Sequence, residues 1–203
     1  MMSQPKVYVV DDDEAVRQSL ARLFSSVNLP VETFDSAASF LTKSDPDRGG
    51  CLVLDLRMPG MDGLQLQTRL NELGRHLPVI MISAHGEIET AVQAMKAGAI
   101  EFLRKPYDPK YLIERVREAL ALNMRIRARD SHRATVDRLR ARLTPREFEV
   151  MERIVAGRSA KEIALELGLS RKTVDIHRAH ILTKMQVESV VELMNLLHPP
   201  DNT

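Results

Sequence analysis

The chain has 203 residues, with 29 Lys and Arg against 28 Asp and Glu, one cysteine and no tryptophan. Hydrophobic residues at 44% and charged residues at 28% exclude a disordered or fibrous chain, and the lone Cys51 excludes an intramolecular disulfide or a cysteine-based metal cluster. No apolar run approaches the roughly 18 residues of a membrane helix. The start MMSQPKVYVV lacks a basic stretch leading into a long apolar core, so a cytoplasmic protein is expected.

The elements follow in chain order. Lys6–Val10 (KVYVV) is a short apolar, β-branched run and predicts a strand, followed by a helical pattern over Glu14–Ser26. Val31–Phe34 predicts a second strand and residues 37–41 a short helix. Residues 51–54 (CLVL) predict a third strand, and 63–73 a helix with Leu64, Leu66, Leu70 and Leu73 available to a core. Strand 78–82, helix 87–97, strand 100–103 and helix 109–121 complete five alternating pairs. That alternation predicts a doubly wound five-stranded parallel sheet of the flavodoxin-like kind, and the unbroken apolar strands predict burial on both faces. Residues 123–142 turn arginine-rich without Pro or Gly, which predicts a helical linker. After it, 143–203 predicts a small all-α unit. Thr144 before Pro145, Ser159 and Ser170 are N-caps, and 144–197 reads as helix throughout, interrupted at Gly157 and Gly168. Two short helices joined by a tight turn at Gly168 read as a helix-turn-helix.

Charge divides at the same place. Residues 1–124 carry 14 Lys and Arg against 17 Asp and Glu, whereas 125–184 carry 15 basic residues against 8 acidic ones. A total of +1 hides an acidic part and a basic part, and a basic end suits a nucleic-acid partner.

In a parallel sheet, ligands gather beyond the carboxyl ends of the strands. Those ends here read Asp11-Asp12-Asp13, Asp55, Ser83 and Lys105-Pro106. Converging carboxylates repel unless a cation holds them, and hard oxygens in this number suit Mg²⁺. A carboxylate beside Mg²⁺ can attack a phosphoryl donor, with a lysine and a hydroxyl steadying the transferred oxygens.

The runs VVDDDEAVR, LDLRMPGMDG, VIMISAHG and AGAIEFLRKPY closely resemble the receiver domain of two-component response regulators over essentially all of residues 5–122. The resemblance implies Asp55 as phosphoacceptor, and Asp11, Asp12, Asp55 and the backbone carbonyl of Arg57 as Mg²⁺ ligands. It also implies Ser83 as the switch hydroxyl, Lys105 as the phosphate-pairing lysine, Phe102 as the aromatic switch and a cis peptide before Pro106. Haloacid-dehalogenase-like phosphatases also use an aspartyl phosphate but carry a second Asp two residues on. That position is Arg57 here, which disfavours a turnover enzyme.

The stretch LTPREFEVMERIVAGRSAKEIALELGLSRKTVDIHRAHILTKM is similar to LuxR-type DNA-binding domains, and with the receiver it resembles the FixJ subclass. Val174 and Ile181 are expected to face the core. Arg171, Lys172 and Lys184 are expected at phosphates, Ile176 and Arg178 at base edges, and Thr173 and His177 within the same interface. Asp175 and Ala179 depart from the basic residues often found there, which predicts a different base preference. The resemblance implies phosphorylation by a sensor histidine kinase, homodimerisation, binding to double-stranded DNA, and transcriptional activation through RNA polymerase. The alternative is a phosphoreceiver whose output is a protein contact, with the helical unit as a dimerisation module.

Overall fold

The computed structural model describes residues 5–45, 48–84 and 88–198. Five parallel strands, β1 (Lys6–Val10), β2 (Val31–Phe34), β3 (Gly50–Asp55), β4 (Val79–Ser83) and β5 (Glu101–Arg104), form one sheet in the order β2-β1-β3-β4-β5. β3 lies at its centre and buries all six of its residues. Successive strand side chains point to opposite faces, so the apolar runs feed two cores at once. Tyr8, Val10, Leu52, Leu54 and Met81 meet Phe40 of α2 (Ala37–Lys43), Leu66 and Leu70 of α3 (Gly63–Glu72) and Ala94 of α4 (Ile88–Lys96). Val7, Val9, Cys51, Val53 and Ile80 meet Leu20 and Phe24 of α1 (Glu14–Ser26) and Leu112 and Val116 of α5 (Pro109–Arg140). The expected helix over 87–97 is observed from Ile88, Glu87 itself lying outside the described residues.

The predicted fifth helix and the predicted linker are one element, since α5 runs 32 residues without interruption. The chain divides into two compact units at Ala128 and Arg129, inside the stretch 123–142 expected as the linker. Asn123, at the start of that stretch, belongs to the first unit. It is buried in the first unit, accepts a hydrogen bond from the Gly50 amide at 2.9 Å and donates to the His76 carbonyl at 3.4 Å. A segment that looks polar in sequence is therefore anchored to the start of β3 and to the loop that precedes β4.

The second unit packs α6 (Pro145–Val155), α7 (Ala160–Leu167), α8 (Arg171–Met185) and α9 (Val190–Leu197) around Val150, Met151, Ile163, Val174, Ile181, Met185 and Leu193. Thr144 and Ser159 begin α6 and α7 with capping boxes closed by Glu147 and Glu162, and Ser170 caps α8. Gly168 ends α7 at φ 64°, a left-handed conformation that a side chain disfavours, and this makes the turn into α8. No described helix is long and apolar enough to cross a membrane.

Candidate phosphoacceptor site and nucleic-acid interface

The strand order reverses at β1, whose neighbours are β2 on one side and β3 on the other. The crevice of such a sheet opens beyond the carboxyl ends of the two strands flanking this switch. Asp11 follows β1 and Asp55 ends β3, and both are buried. Between them stands Lys105, its Nζ 2.9 Å from Asp11 Oδ2 and 2.7 Å from Asp55 Oδ1. Lys105 follows β5 and precedes Pro106 through a cis peptide bond, as the resemblance implied. Its backbone amide donates to the Ser83 carbonyl at 2.8 Å, joining the ends of β4 and β5. Ser83 is 1% exposed.

Backbone and side-chain contacts fix the carboxylates. The Asp13 amide donates to Asp11 Oδ1 at 2.9 Å, and the Arg57 amide donates to Asp55 Oδ2 at 2.8 Å. Asp13 itself caps α1 by accepting from the Ala15 amide, so it serves the helix rather than the cluster. Arg17, which sequence reasoning passed over, donates to the Asp11 carbonyl at 2.8 Å; its place one turn into α1 was the available signal. At the start of α3, a Cβ on Gly63 would stand 2.5 Å from the Asp55 carbonyl oxygen, so glycine is what allows this close approach.

Burial raises the Asp55 pKa above the ordinary carboxylate range, and the Asp11 charge adds to this while Lys105 and the Arg57 amide oppose it. Burial alone would lower Lys105, but its bonds and attraction to Asp55 and Asp11 outweigh this and raise it. One ammonium thus faces two carboxylates. A phosphoryl group would add further negative charge, and Asp11, Asp55 and the nearby Arg57 carbonyl are hard oxygen donors of the kind Mg²⁺ takes. The donor set fits this ion. Asp12 is exposed beside it, and among the described residues no three acidic, histidine or cysteine side chains are already grouped as a metal cage. Phe102 is half-buried on β5, packed on the Tyr8 core, and shares a shallow depression with Ile88, Val92, Met95 and Arg104.

On α8, Val174, Ile181 and Met185 face the core, as the spacing predicted for the first two. Arg171, Lys172, Asp175, Ile176, Arg178, Ala179 and His180 are exposed, whereas Thr173 and His177 are half-buried. Lys172, Ile176, Ala179 and Thr183 recur at helical spacing on the outward face. Arg178 lies to the side, lining a depression with Arg158, Val174 and Met194. Thr173 Oγ1 is 2.8 Å from Ser170 Oγ at the cap, and His177 Nδ1 is buried without a hydrogen-bond partner among the described residues. Lys184, expected at a phosphate, holds its Nζ 2.5 Å from Oε2 of the buried Glu147. Locally, Glu147 closes the capping box with Thr144 at the start of α6.

An aspartate held beside a lysine at the switch point of a parallel sheet, followed in the chain by a helix-turn-helix unit, defines a receiver joined to a DNA-binding module. The family models agree: residues 7–117 match the response regulator receiver domain, and residues 141–197 match the bacterial regulatory proteins of the luxR family. The chain is 44% identical over 191 residues to the transcriptional regulatory protein TdiR of Thauera aromatica, covering 94% of this chain and 84% of that one. It is 43% identical to the transcriptional regulatory protein FixJ of Azorhizobium caulinodans, over 94% of this chain and 90% of that one. Among solved structures it resembles response regulator StyR, with a TM-score of 0.87 at 42% identity over 98% of this chain and all of that one. The chain belongs to the two-component response regulators that carry a LuxR-type DNA-binding domain.

Proposed function

We propose that this response regulator is switched by phosphorylation of Asp55 and that its phosphorylated form dimerises to bind DNA and regulate, by family analogy activate, transcription. The observation that carries the reading is Lys105, held between Asp11 and Asp55 and so already placed to meet a phosphoryl group arriving at Asp55. A sensor histidine kinase is the donor. An oxygen of the Asp55 carboxylate attacks phosphorus, the bond from phosphorus to the donor's histidine nitrogen breaks, and the histidine recovers that electron pair. Receiver domains generally bind Mg²⁺ at this site, where it neutralises the transferring oxygens; Asp11, Asp12, Asp55 and the Arg57 carbonyl would hold it.

Lys105 pairs one phosphoryl oxygen and the Ser83 hydroxyl donates to another. Movement of Ser83 opens space into which Phe102 turns, altering the surface of α4, β5 and α5 through the depression it shares with Ile88, Val92 and Met95. That exposed apolar surface is the dimerisation face in this reading. A two-fold dimer then sets two copies of α8 into successive major grooves, with Arg171, Lys172 and Thr173 at the backbone, Ile176 and Arg178 toward bases and His177 between them. RNA polymerase is the further partner. The chain takes one phosphate onto itself and does not turn over a substrate.

Incubation with acetyl phosphate and Mg²⁺, followed by mass spectrometry and light scattering, tests the switch. Wild type gains one phosphate and shifts toward dimer, while Asp55→Asn does neither. Identical behaviour of the two proteins rejects Asp55 as the switch. A steep fall of DNA affinity with salt separates DNA binding from a helical unit that only dimerises.

A further inference from the structure

Glu147 is the one buried charged side chain among the described residues of the second unit. Its Oε2 accepts from the Thr144 amide at 2.8 Å, the Thr144 hydroxyl at 3.0 Å and the Lys184 ammonium at 2.5 Å. Its Oε1 faces His180 Nδ1 at 3.7 Å. Capping α6 does not require this arrangement. Glu162 closes the same kind of box at α7 while exposed, with its hydrogen bonds confined to Ser159. What distinguishes Glu147 is that it is buried and reaches across to the helix predicted to enter DNA.

We propose that Glu147 is the positioning residue of the recognition helix, holding α8 at one rotation through Lys184 and converting a non-specific phosphate attraction into sequence selectivity. The inference rests on the DNA-binding reading above. The aliphatic contacts of Val174, Ile181 and Met185 set which face of α8 meets the core. A charged hydrogen bond at 2.5 Å on the flank of the helix is directional. It keeps Lys172, Ile176, Ala179 and Thr183 facing outward. Removing the ammonium would leave the buried carboxylate with the Thr144 hydrogen bonds but no compensating cation from α8, so Lys184 cannot leave Glu147 for a DNA phosphate without penalty. The lysine is thereby discounted as a general phosphate attractor.

The full-length phosphorylated chain is tested on two duplexes of equal length, one selected by the wild-type protein from a random pool and one unselected. Glu147→Gln keeps the shape and an acceptor for the Thr144 amide but frees Lys184. Its affinity for the unselected duplex is expected to rise about threefold, and its log–log salt slope to steepen by about one. Its affinity for the selected duplex is expected to fall about tenfold, collapsing the ratio between the two. The double variant Glu147→Gln/Lys184→Met, with neither charge, returns to the wild-type salt slope or a shallower one without recovering the ratio; it also carries the comparison if the single variant folds poorly. Equal loss on both duplexes, in proportion to folded fraction, means a merely structural role and overturns the proposal, as does an unchanged ratio. If the wild-type chain binds neither duplex, the DNA-binding reading fails and this proposal fails with it.

Discussion

The carboxyl carbon of Glu147 offers a direct measure of how firmly the ion pair with Lys184 is held. Burial pushes this carboxyl up, but the Lys184 hydrogen bond, the Thr144 amide and hydroxyl, and the Lys184 charge together hold it down at about 2, against an ordinary 4.5. Such a gap corresponds to about 3 kcal/mol at 1.36 kcal/mol per pH unit, reduced to about 2 kcal/mol because Lys184 is itself one-third exposed and partly screened. Since the folded value lies below the unfolded one, this stabilisation is fully present above pH 4.5 and is lost as pH falls toward 2. Carbon-13 NMR of glutamate-labelled protein, with Glu147 assigned by its disappearance in Glu147→Gln, should show a resonance nearly flat from pH 7 to about pH 3. In Lys184→Met the burial and the Thr144 hydrogen bonds remain while the cation is gone, so the Glu147 midpoint should rise from its wild-type value. A wild-type Glu147 resonance with its midpoint near 4.5 would refute the reasoning.

Other predictions concern the receiver. Asn123→Ala removes two hydrogen bonds and leaves the Gly50 amide unpaired in the interior, for a loss of about 2–3 kcal/mol that urea unfolding of the receiver should show; no change in midpoint would mean that Asn123 does not anchor α5. Phe40→Ala opens a cavity beside Phe34 and Tyr8, whose ring centroids lie 5.2 Å and 5.7 Å away, and should destabilise by about 3–5 kcal/mol in the same assay. Lys105→Met leaves Asp11 and Asp55 facing each other without the ammonium, so phosphate uptake from acetyl phosphate should fall at least tenfold while the sheet still folds. Uptake at the wild-type rate would remove Lys105 from the mechanism.

Much of this molecule was legible because its signals are local. The strands KVYVV and CLVL, the caps Thr144, Ser159 and Ser170, and the left-handed Gly168 are each specified within a few residues of chain. Asp11, Asp55, Ser83 and Lys105 could be named because a parallel sheet gathers its strand ends on one edge, and the order of elements alone predicts such a sheet. The linker and the recognition helix were less legible. Asn123 sits in an arginine-rich polar stretch, and nothing near it in sequence marks its bond to Gly50, 73 residues away. Lys184 looks like any basic residue on a DNA-reading helix, whereas its partner Glu147 lies 37 positions earlier and bears the pattern of an ordinary capping acid.

The sequence by itself therefore determined the class of fold and the two-part charge, because propensity, capping and hydrophobic period act over short stretches of chain, and the order of elements brought Asp11, Asp55, Ser83 and Lys105 to one sheet edge. Tertiary structure alone decided that one lysine bridges Asp11 and Asp55, that α5 is anchored past its expected end, and that Lys184 is bound to a buried acid. These depend on distances across packed elements. Burial then sets what breaking them costs, since a polar or charged group left without its partner away from water is far more expensive than the same group on a surface.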